Sequence, residues 1–378
     1  MTSFNLLAYE NKPSVVEAAV QTAKPNAKKK IASYSILVLA FAASFVFGLL
    51  QAGLPGLVLT ASALLPLGVL VTITLFASSR AEIPLWLRLG ALIWGGAGAT
   101  TVTFAIIGVQ NALVGQSNMT DSVVVQAAIV EESAKALLLF GLFWFFRQHI
   151  RTPIIGAMLG VLAGAGFAYV ENILYFANAY NQGGWEGFWG TFIARALMSF
   201  FLHSMATMFT GLFIGFVVSR NFGWLKSFFI VDAGLIAAMT VHGMWNGLAS
   251  ITTVDAKWNL IYLFFWLPFV AVMTFTVIMV RKNSTAKRVA VLERYVSAGV
   301  IRRIQVEKMS NRKARRKTYK AGNAQSIITW ERSISLSDYW QSEFDSLPPK
   351  TKHDKRRAKH FSRKAKHLAL LGSVSAAV

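Results

Sequence analysis

Long runs of apolar residues, separated by short polar turns, make up most of the chain. A run of about 20 apolar residues is long enough to cross the hydrocarbon core of a bilayer as a helix. Turn signals such as those at 54–56 and 181–184 separate neighbouring runs. The pattern predicts about eight transmembrane helices, over residues 33–52, 57–77, 87–109, 123–146, 154–177, 188–218, 227–250 and 260–280.

The sixth run, 188–218, is too long for one straight span. We expect it either to tilt or to begin with a turn at the membrane interface, around Trp185, Phe188 and Trp189. Tryptophan favours this level of the membrane because its ring is amphipathic.

The composition is strongly apolar, and the charge is concentrated at one end. Hydrophobic residues make up 54% of the 378 residues and charged residues only 15%, which excludes an ordinary soluble protein. Residues 281–378 contain 24 Lys/Arg and seven Asp/Glu, and so supply +17 of the formal net charge of +21. The sequence predicts an all-α polytopic membrane helix bundle at 31–280, between a cytoplasmic N-terminal segment at 1–30 and a basic cytoplasmic C-terminal tail at 281–378 that is partly helical or disordered.

Basic residues occupy alternate loops, and this pattern predicts the orientation. Lysines precede the first run, and arginines or lysines follow the second, fourth, sixth and eighth runs. In the intervening loops, Lys257 is the only Lys or Arg residue. Because Lys and Arg are retained on the cytoplasmic side, we expect both termini in the cytoplasm of a protein embedded in the plasma membrane.

Ionisable side chains nevertheless lie inside four predicted spans. They are Glu131, Glu132 and Lys135 in the fourth span, Glu171 in the fifth, His203 in the sixth and His242 in the seventh. An ionised group at the bilayer centre costs about 2.5–3.5 kcal/mol even on a lenient scale. We therefore expect these groups to be paired, hydrated or functional.

Helical geometry brings these groups to similar depths. Lys135 is within one turn of both glutamates and can neutralise either, although the two glutamates point about 100° apart. Counted inward from the outer ends at about 1.5 Å per residue, Glu131 and His242 lie about 12 Å deep and Glu171 about 9 Å deep. His203 comes out deeper, near the middle of the membrane. Four helices thus contribute acids and bases to the outer half of the bilayer.

Such a set of residues suits hydrolysis. A carboxylate near histidines can deprotonate a water molecule, or the same residues can hold a divalent metal that acidifies its bound water. Asn246, one turn after His242, is a candidate donor to the developing oxyanion. The sequence has no cysteine, which excludes thiolate metal sites and cysteine nucleophiles. Buried ion pairs or hydrogen bonds that only lock helices together are the structural alternatives.

These motifs resemble those of the PrsW family of intramembrane proteases, which is related to the CAAX-processing and bacteriocin-processing membrane proteases. The matching elements, one per successive helix, are Glu131-Glu132-x-x-Lys135, Phe167-x-x-x-Glu171-Asn172, His203 and His242-x-x-x-Asn246. The resemblance does not extend to the tail. It implies a membrane peptidase that cuts a membrane-tethered protein, such as an anti-sigma factor, on its extracytoplasmic side.

The resemblance also implies which residues carry the function. They are Glu131, Glu132, Lys135, Glu171, His203, His242 and Asn246. We expect Glu131 to activate the water, with Glu132 paired to Lys135 or the two roles exchanged. The family is described as metalloproteases, whereas the CAAX enzymes are argued to use glutamate-activated water. Glu171, His203 and His242 are therefore candidate ligands of a divalent metal such as zinc, although the His-Glu-x-x-His run of the zincins is absent.

Two other classes of function compete with a protease. Intramembrane acids and histidines also mark ion pathways, so a proton- or ion-coupled transporter is the main alternative, although no internal repeat is visible. The second alternative is a non-catalytic scaffold.

We expect the basic tail to contact anionic lipid or a cytoplasmic partner and not nucleic acid, because few aromatic residues accompany its Lys/Arg clusters. Arg195 is interpreted as a structural residue that pairs or snorkels near the outer interface.

Overall fold

The computed structural model describes residues 27–77, 83–114, 120–150, 152–220, 222–252 and 302–310, with scattered residues between 267 and 297. Within them the chain is helical and contains no strand, which confirms the predicted all-α class. The chain divides into two compact units, Lys28–Val277 and a second unit of Met1–Ala27 with Ile278–Val378. Most of the second unit, including nearly all of the predicted tail, lies outside the described residues.

The first two helices form a hairpin. Helix α1 (Ala27–Ala52) leads into Gly53, whose φ of 60° is in the left-handed region that glycine adopts without a steric penalty. Helix α2 (Pro55–Ala77) then begins at a proline, whose missing N–H would have no helical partner there in any case. The turn predicted at 54–56 is thereby confirmed.

A π-helical segment, Trp94–Ala99, joins α3 (Leu85–Ile93) to α4 (Thr100–Val114) in one continuous stretch. From this segment the indole Nε1–H of Trp94 donates a hydrogen bond of 3.1 Å to the carbonyl of Ala134. The bond ties the segment to α5 (Thr120–Phe146), one residue before Lys135.

Helix α6 (Pro153–Phe192) is the central element. The hydroxyl of Thr152 caps its start by accepting a hydrogen bond from the backbone N–H of Ile155. Nearly every side chain in the first half of the helix is buried, as expected of a helix that is apolar on all sides. The other helices therefore pack around α6, and this packing positions their polar side chains.

A break at Gly183 and Gly184 divides α6 into two arms. Gly184 has φ 59° and ψ −148°, a backbone conformation that is essentially restricted to glycine. The turn predicted at 181–184 is thus confirmed. Directly after it, the aromatic residues of the predicted interfacial turn pack edge to face with side chains of the first arm; these contacts join Phe188 to Phe176 and Trp185 to Tyr180.

The sixth predicted run, 188–218, is interrupted in the structure. The second arm of α6 continues as a π-helical segment, Ile193–Met198, and the helix ends at Ser199. Helix α7 (Leu202–Arg220) then starts anew, so His203 lies in its first turn and not in the middle of a long helix. The interruption explains why counting from the outer end of the run placed His203 too deep relative to its partners.

Helices α6 and α7 pack at very short range, and α8 (Trp224–Thr252) completes the described part of this unit. At Gly164 of α6, an added Cβ atom would overlap the backbone carbonyl of His203. The absence of a side chain at this position therefore sets how close α7 comes to the central helix, and with it the position of His203.

Among the described residues, five helical stretches are long and apolar enough to cross a membrane: Tyr34–Ala52, Pro55–Leu75, Leu85–Leu113, Pro153–Arg220 and Trp224–Ser250. The fifth and sixth predicted runs both lie within Pro153–Arg220. The fourth run lies in α5, whose charged side chains distinguish it from these five, and the run 260–280 lies almost entirely outside the described residues. The total of eight and the orientation of the termini stay predictions.

Candidate active site

A lysine and two glutamates form a buried ion-pair group on α5. The Nζ atom of Lys135 lies 2.8 Å from Glu132 Oε1 and 3.2 Å from Glu131 Oε2. The spacing of three and four residues places all three side chains over one turn of the helix. The ammonium also lies over the ring of Phe167, 3.8 Å from its centroid. Lys135 therefore contacts both carboxylates, as the spacing predicts.

Both oxygens of Glu132 are occupied by hydrogen bonds from other residues. Oε1 accepts from Lys135 and lies 3.0 Å from His242 Nδ1, while Oε2 accepts from the hydroxyl of Thr207 at 2.8 Å. The side chain of Glu132 is completely buried. This carboxylate therefore joins α5 to α7 and α8 and has little capacity left for a substrate or a water molecule.

His203 connects the lysine to the carboxylate of Glu171. Its Nδ1 atom lies 3.0 Å from Lys135 Nζ, and its Nε2 atom lies 2.7 Å from Glu171 Oε2. Because an ammonium can only donate, Nδ1 is the acceptor in the first contact. The hydrogen-bond network therefore assigns the proton of neutral His203 to Nε2, which donates it to Glu171.

Each of the two histidines directs one ring nitrogen toward Glu131. His242 donates through Nδ1 to Glu132, which leaves Nε2 with a lone pair. This Nε2 lies 3.8 Å from Glu131 Oε2, and His203 Nδ1 lies 3.7 Å from the same oxygen. The rings of the two histidines meet edge to face with centroids 4.8 Å apart. Three helices thus bring two imidazole lone pairs and one carboxylate oxygen to a single point.

This arrangement fits a divalent metal. Glu131, His203 and His242 each offer one ligand atom, and these atoms lie within 4.8 Å of one another. A tetrahedral zinc ion with bonds of about 2.0–2.1 Å separates its ligand atoms by about 3.4 Å, and Glu131 Oε2 lies 3.7 and 3.8 Å from the two imidazole nitrogens. Each histidine also donates its other N–H to a carboxylate, as metal-binding histidines do. The set predicted from the sequence has the same two histidines, with Glu171 in place of Glu131.

Glu171 is held from its other side by an arginine. The Nη2 atom of Arg195 pairs with Glu171 Oε2, the oxygen that also faces His203, and its Nε–H donates to Asn172 Oδ1 at 2.9 Å. The guanidinium lies over the ring of Tyr175, 3.9 Å from the centroid. Arg195 does pair, as the sequence predicted, and its partner is a residue of the candidate site.

The exposure of the side chains increases in one direction across the cluster. Lys135 and Glu132 are 0% exposed, Glu131 is 10% exposed and Glu171 15% exposed, and Arg195 reaches 22%. The cluster therefore opens on the side of Glu131, Glu171 and Arg195, and Lys135 with Glu132 forms its closed end.

Asn246 lies on α8 one turn after His242 and is partly buried.

Two further residues contact the cluster without having been predicted to do so from the sequence: Thr207, and Arg195 through Glu171. Thr207 lies four residues after His203, on the same face of α7, so helical spacing could have indicated it. No comparable signal links Arg195 to Glu171, because the chain turns back at Gly183 and Gly184 between them.

One of three comparisons with known proteins identifies a family. No curated protein and no solved structure is similar enough to match the chain. The model of the PrsW family of intramembrane metalloproteases matches residues 83–273, which is half of the chain and includes every residue of the cluster. The resemblance seen in the sequence is therefore confirmed, and the chain belongs to the PrsW family of intramembrane metalloproteases.

Proposed function

We propose that this integral membrane protease hydrolyses a peptide bond of a membrane-tethered protein with a water molecule bound between Glu131, His203 and His242. The observation that carries the proposal is the convergence of one carboxylate oxygen and two imidazole lone pairs at the point where the buried cluster opens. A water molecule at that point can donate one hydrogen bond to the carboxylate and the other to an imidazole nitrogen.

Glu131 is the better candidate for the base of the adjacent pair. Both oxygens of Glu132 already accept hydrogen bonds, and its side chain is completely buried. Glu131 accepts one bond of 3.2 Å from Lys135, and its side chain is 10% exposed whereas that of Glu132 is 0% exposed. Glu132 then serves to orient His242 and to balance the charge of Lys135.

The reaction would proceed by two proton transfers through Glu131. The carboxylate takes a proton from the water as the water oxygen attacks the carbon of the peptide carbonyl. The tetrahedral intermediate carries the negative charge on the former carbonyl oxygen. Asn246 is our candidate donor to this oxyanion. When the C–N bond breaks, Glu131 returns the proton to the departing amine, which regenerates the carboxylate.

A divalent metal such as zinc, held by Glu131, His203 and His242, would supply Lewis acidity and a more acidic water at the same point. Glu132 and Glu171 would then fix the tautomers of the two histidines, so that the lone pairs of His242 Nε2 and His203 Nδ1 stay directed toward the ligand position. His203 and His242 would thus contribute the same ring nitrogens with or without the ion, whereas Glu131 would be a ligand when the ion is bound and the base when it is not.

We propose that the cut falls on the extracytoplasmic side and that the substrate is a membrane-anchored regulator such as an anti-sigma factor. The loop charges support cytoplasmic termini. With that orientation, Glu131 lies in the outer half of α5 and His242 in the outer half of α8. The family assignment disfavours the transporter alternative.

The test compares Glu131→Gln with Asp232→Asn, a matched loss of one carboxylate on a membrane helix outside the cluster. Cells that express the wild-type protein, either variant or no protein are compared for membrane-protein fragments with new N-termini. We expect the fragments with the wild type and with Asp232→Asn and their loss with Glu131→Gln. Equal fragment yields from the wild type and the Glu131→Gln variant would overturn the role of Glu131, and yields no higher than in cells without the protein would favour a non-catalytic scaffold.

A further inference from the structure

We infer that Arg195 is a positioning residue, which fixes the tautomer of His203 by holding the carboxylate of Glu171 in place. Arg195 lies outside the motifs that define the cluster, on the π-helical segment Ile193–Met198 that follows the second arm of α6. This inference rests on the proposed function for its effect on cleavage, and on the hydrogen-bond network alone for its effect on the histidine.

The first support is the sharing of one oxygen. Glu171 Oε2 is the atom that pairs with Arg195 Nη2, and it also lies 2.7 Å from His203 Nε2. An oxygen next to a guanidinium is held as an acceptor, because arginine can only donate. His203 must then donate through Nε2, which leaves the lone pair on Nδ1.

The second support is the requirement at the other nitrogen of the same ring. His203 Nδ1 faces the ammonium of Lys135 at 3.0 Å, where only an acceptor fits. If Glu171 rotated away, the ring would keep its contact with Lys135 but would lose the acceptor that holds the proton on Nε2. Arg195 and Lys135 therefore favour the same tautomer from opposite sides of the ring.

The third support is the way in which Arg195 itself is fixed. Its Nε–H donates to Asn172 Oδ1 at 2.9 Å, and its guanidinium stacks over Tyr175 at 3.9 Å. A planar group held along one edge and one face has little freedom to reorient. A lysine could supply the charge at this position but not the two parallel contacts to adjacent residues of α6.

The location of Arg195 also allows an Arg195→Ala variant to be rescued by added guanidinium. Its side chain is 22% exposed at the open side of the cluster. In Arg195→Ala, a guanidinium ion added to the solution can enter the space left by the side chain and pair with Glu171. The matched control is Arg220→Ala, which removes an arginine that stacks on Phe216 in the last turn of α7, far along the helix from His203.

The experiment has two readouts on purified full-length protein in detergent. In ¹⁵N-histidine-labelled protein, the His203 signals, assigned by their loss in His203→Gln, report which ring nitrogen carries the proton. We expect protonated Nε2 in the wild type and in Arg220→Ala, and a mixture of both tautomers in Arg195→Ala that guanidinium reverses. Cleavage should fall about 10- to 100-fold in Arg195→Ala, as for other residues that orient a metal-binding or catalytic histidine, and recover in part with guanidinium.

The outcomes separate the two proposals. Unchanged His203 signals in Arg195→Ala, or a cleavage rate within twofold of the wild type, would overturn the role of Arg195 while leaving the protease proposal intact. A wild-type protein that cleaves nothing would overturn the proposed function, and the histidine signals would still decide the role of Arg195. Recovery with guanidinium also shows that the variant is folded, and Arg195→Lys, expected to be only partly active, tests whether charge alone suffices.

Discussion

Glu132 and His242 are hydrogen-bonded across two helices, with 3.0 Å between Oε1 and Nδ1. This contact distinguishes the two adjacent glutamates of α5. In the proposed mechanism Glu132 acts on the site through His242, which it orients, whereas Glu131 faces the point where a water molecule or a metal would be bound.

We therefore expect unequal effects of the two conservative substitutions. Glu131→Gln removes the group that would accept the proton of the water and should lower kcat by about 10²- to 10⁴-fold. Glu132→Gln weakens the support of His242 and the pairing with Lys135 but leaves the base in place, and it should cost about 10- to 100-fold. The measurement is the initial rate of cleavage of a tethered substrate in proteoliposomes. The reverse order of the two effects would exchange the roles that we assign.

The hydroxyl of Thr207 provides a clean test of the buried carboxylate. Thr207→Val keeps the shape of the side chain but removes the 2.8 Å hydrogen bond to Glu132 Oε2, so a buried charged oxygen loses a donor. We expect a loss of about 1–3 kcal/mol of unfolding free energy, measured by denaturation in detergent.

Thr210→Val is the matched control on the same helix. Thr210 is as completely buried as Thr207, but its Oγ1 atom has no hydrogen-bond partner within the part of the chain that the structure describes. Replacing it should be neutral or stabilising. Equal losses of unfolding free energy in the two variants would show that the hydrogen bond from Thr207 to Glu132 does not stabilise the protein.

The close contact at Gly164 predicts that a single methyl group displaces a site residue. Gly164→Ala would push the backbone of α7 at His203 away from α6, and we expect a cost of about 1–3 kcal/mol in stability together with slower cleavage. At Gly141 of α5 an added Cβ meets no atom within 4 Å, so Gly141→Ala should be tolerated. Thermal unfolding and the cleavage rate of both variants provide the comparison.

Metal analysis can discriminate between the two ligand sets. If Glu131, His203 and His242 hold zinc, then His203→Asn or His242→Asn should abolish stoichiometric binding to the purified protein. Glu171→Gln, which alters only the partner of a ligand, should weaken binding about 10- to 100-fold. Loss of binding in Glu171→Gln with retention in Glu131→Gln would instead favour the set predicted from the sequence.

Lys135 and a metal would compete for the same lone pairs. Its Nζ atom lies 3.2 Å from Glu131 Oε2 and 3.0 Å from His203 Nδ1, and both atoms belong to the proposed ligand set. Lys135→Met removes the competing cation at similar volume, so we expect tighter zinc binding in a titration of the purified protein. Lys226→Met, at the start of α8, is the control that should leave zinc affinity unchanged. An affinity no higher in Lys135→Met than in the wild type would contradict the competition.

The sequence was informative wherever helical spacing alone decides a contact. Lys135 reaches both glutamates because three- and four-residue spacings are fixed by the helix, and the turns at 54–56 and 181–184 were predictable because they need glycine or proline. The level of His203 was not predictable, since the interruption after Met198 has no strong local signal. The roles of Glu131 and Glu132, and the contact of Arg195 with Glu171, depend on packing between helices, which periodicity does not specify.

The three donors to Glu132 become available at different times during synthesis. Lys135 is on the same helix, whereas Thr207 and His242 belong to helices that are translated later. Helix α5 can therefore enter the bilayer with its most deeply buried carboxylate already neutralised by a local partner, which lowers the cost of inserting a charged segment. In this view the lysine first allows the membrane to accept the helix, and the later helices then turn that pair into part of an enzyme.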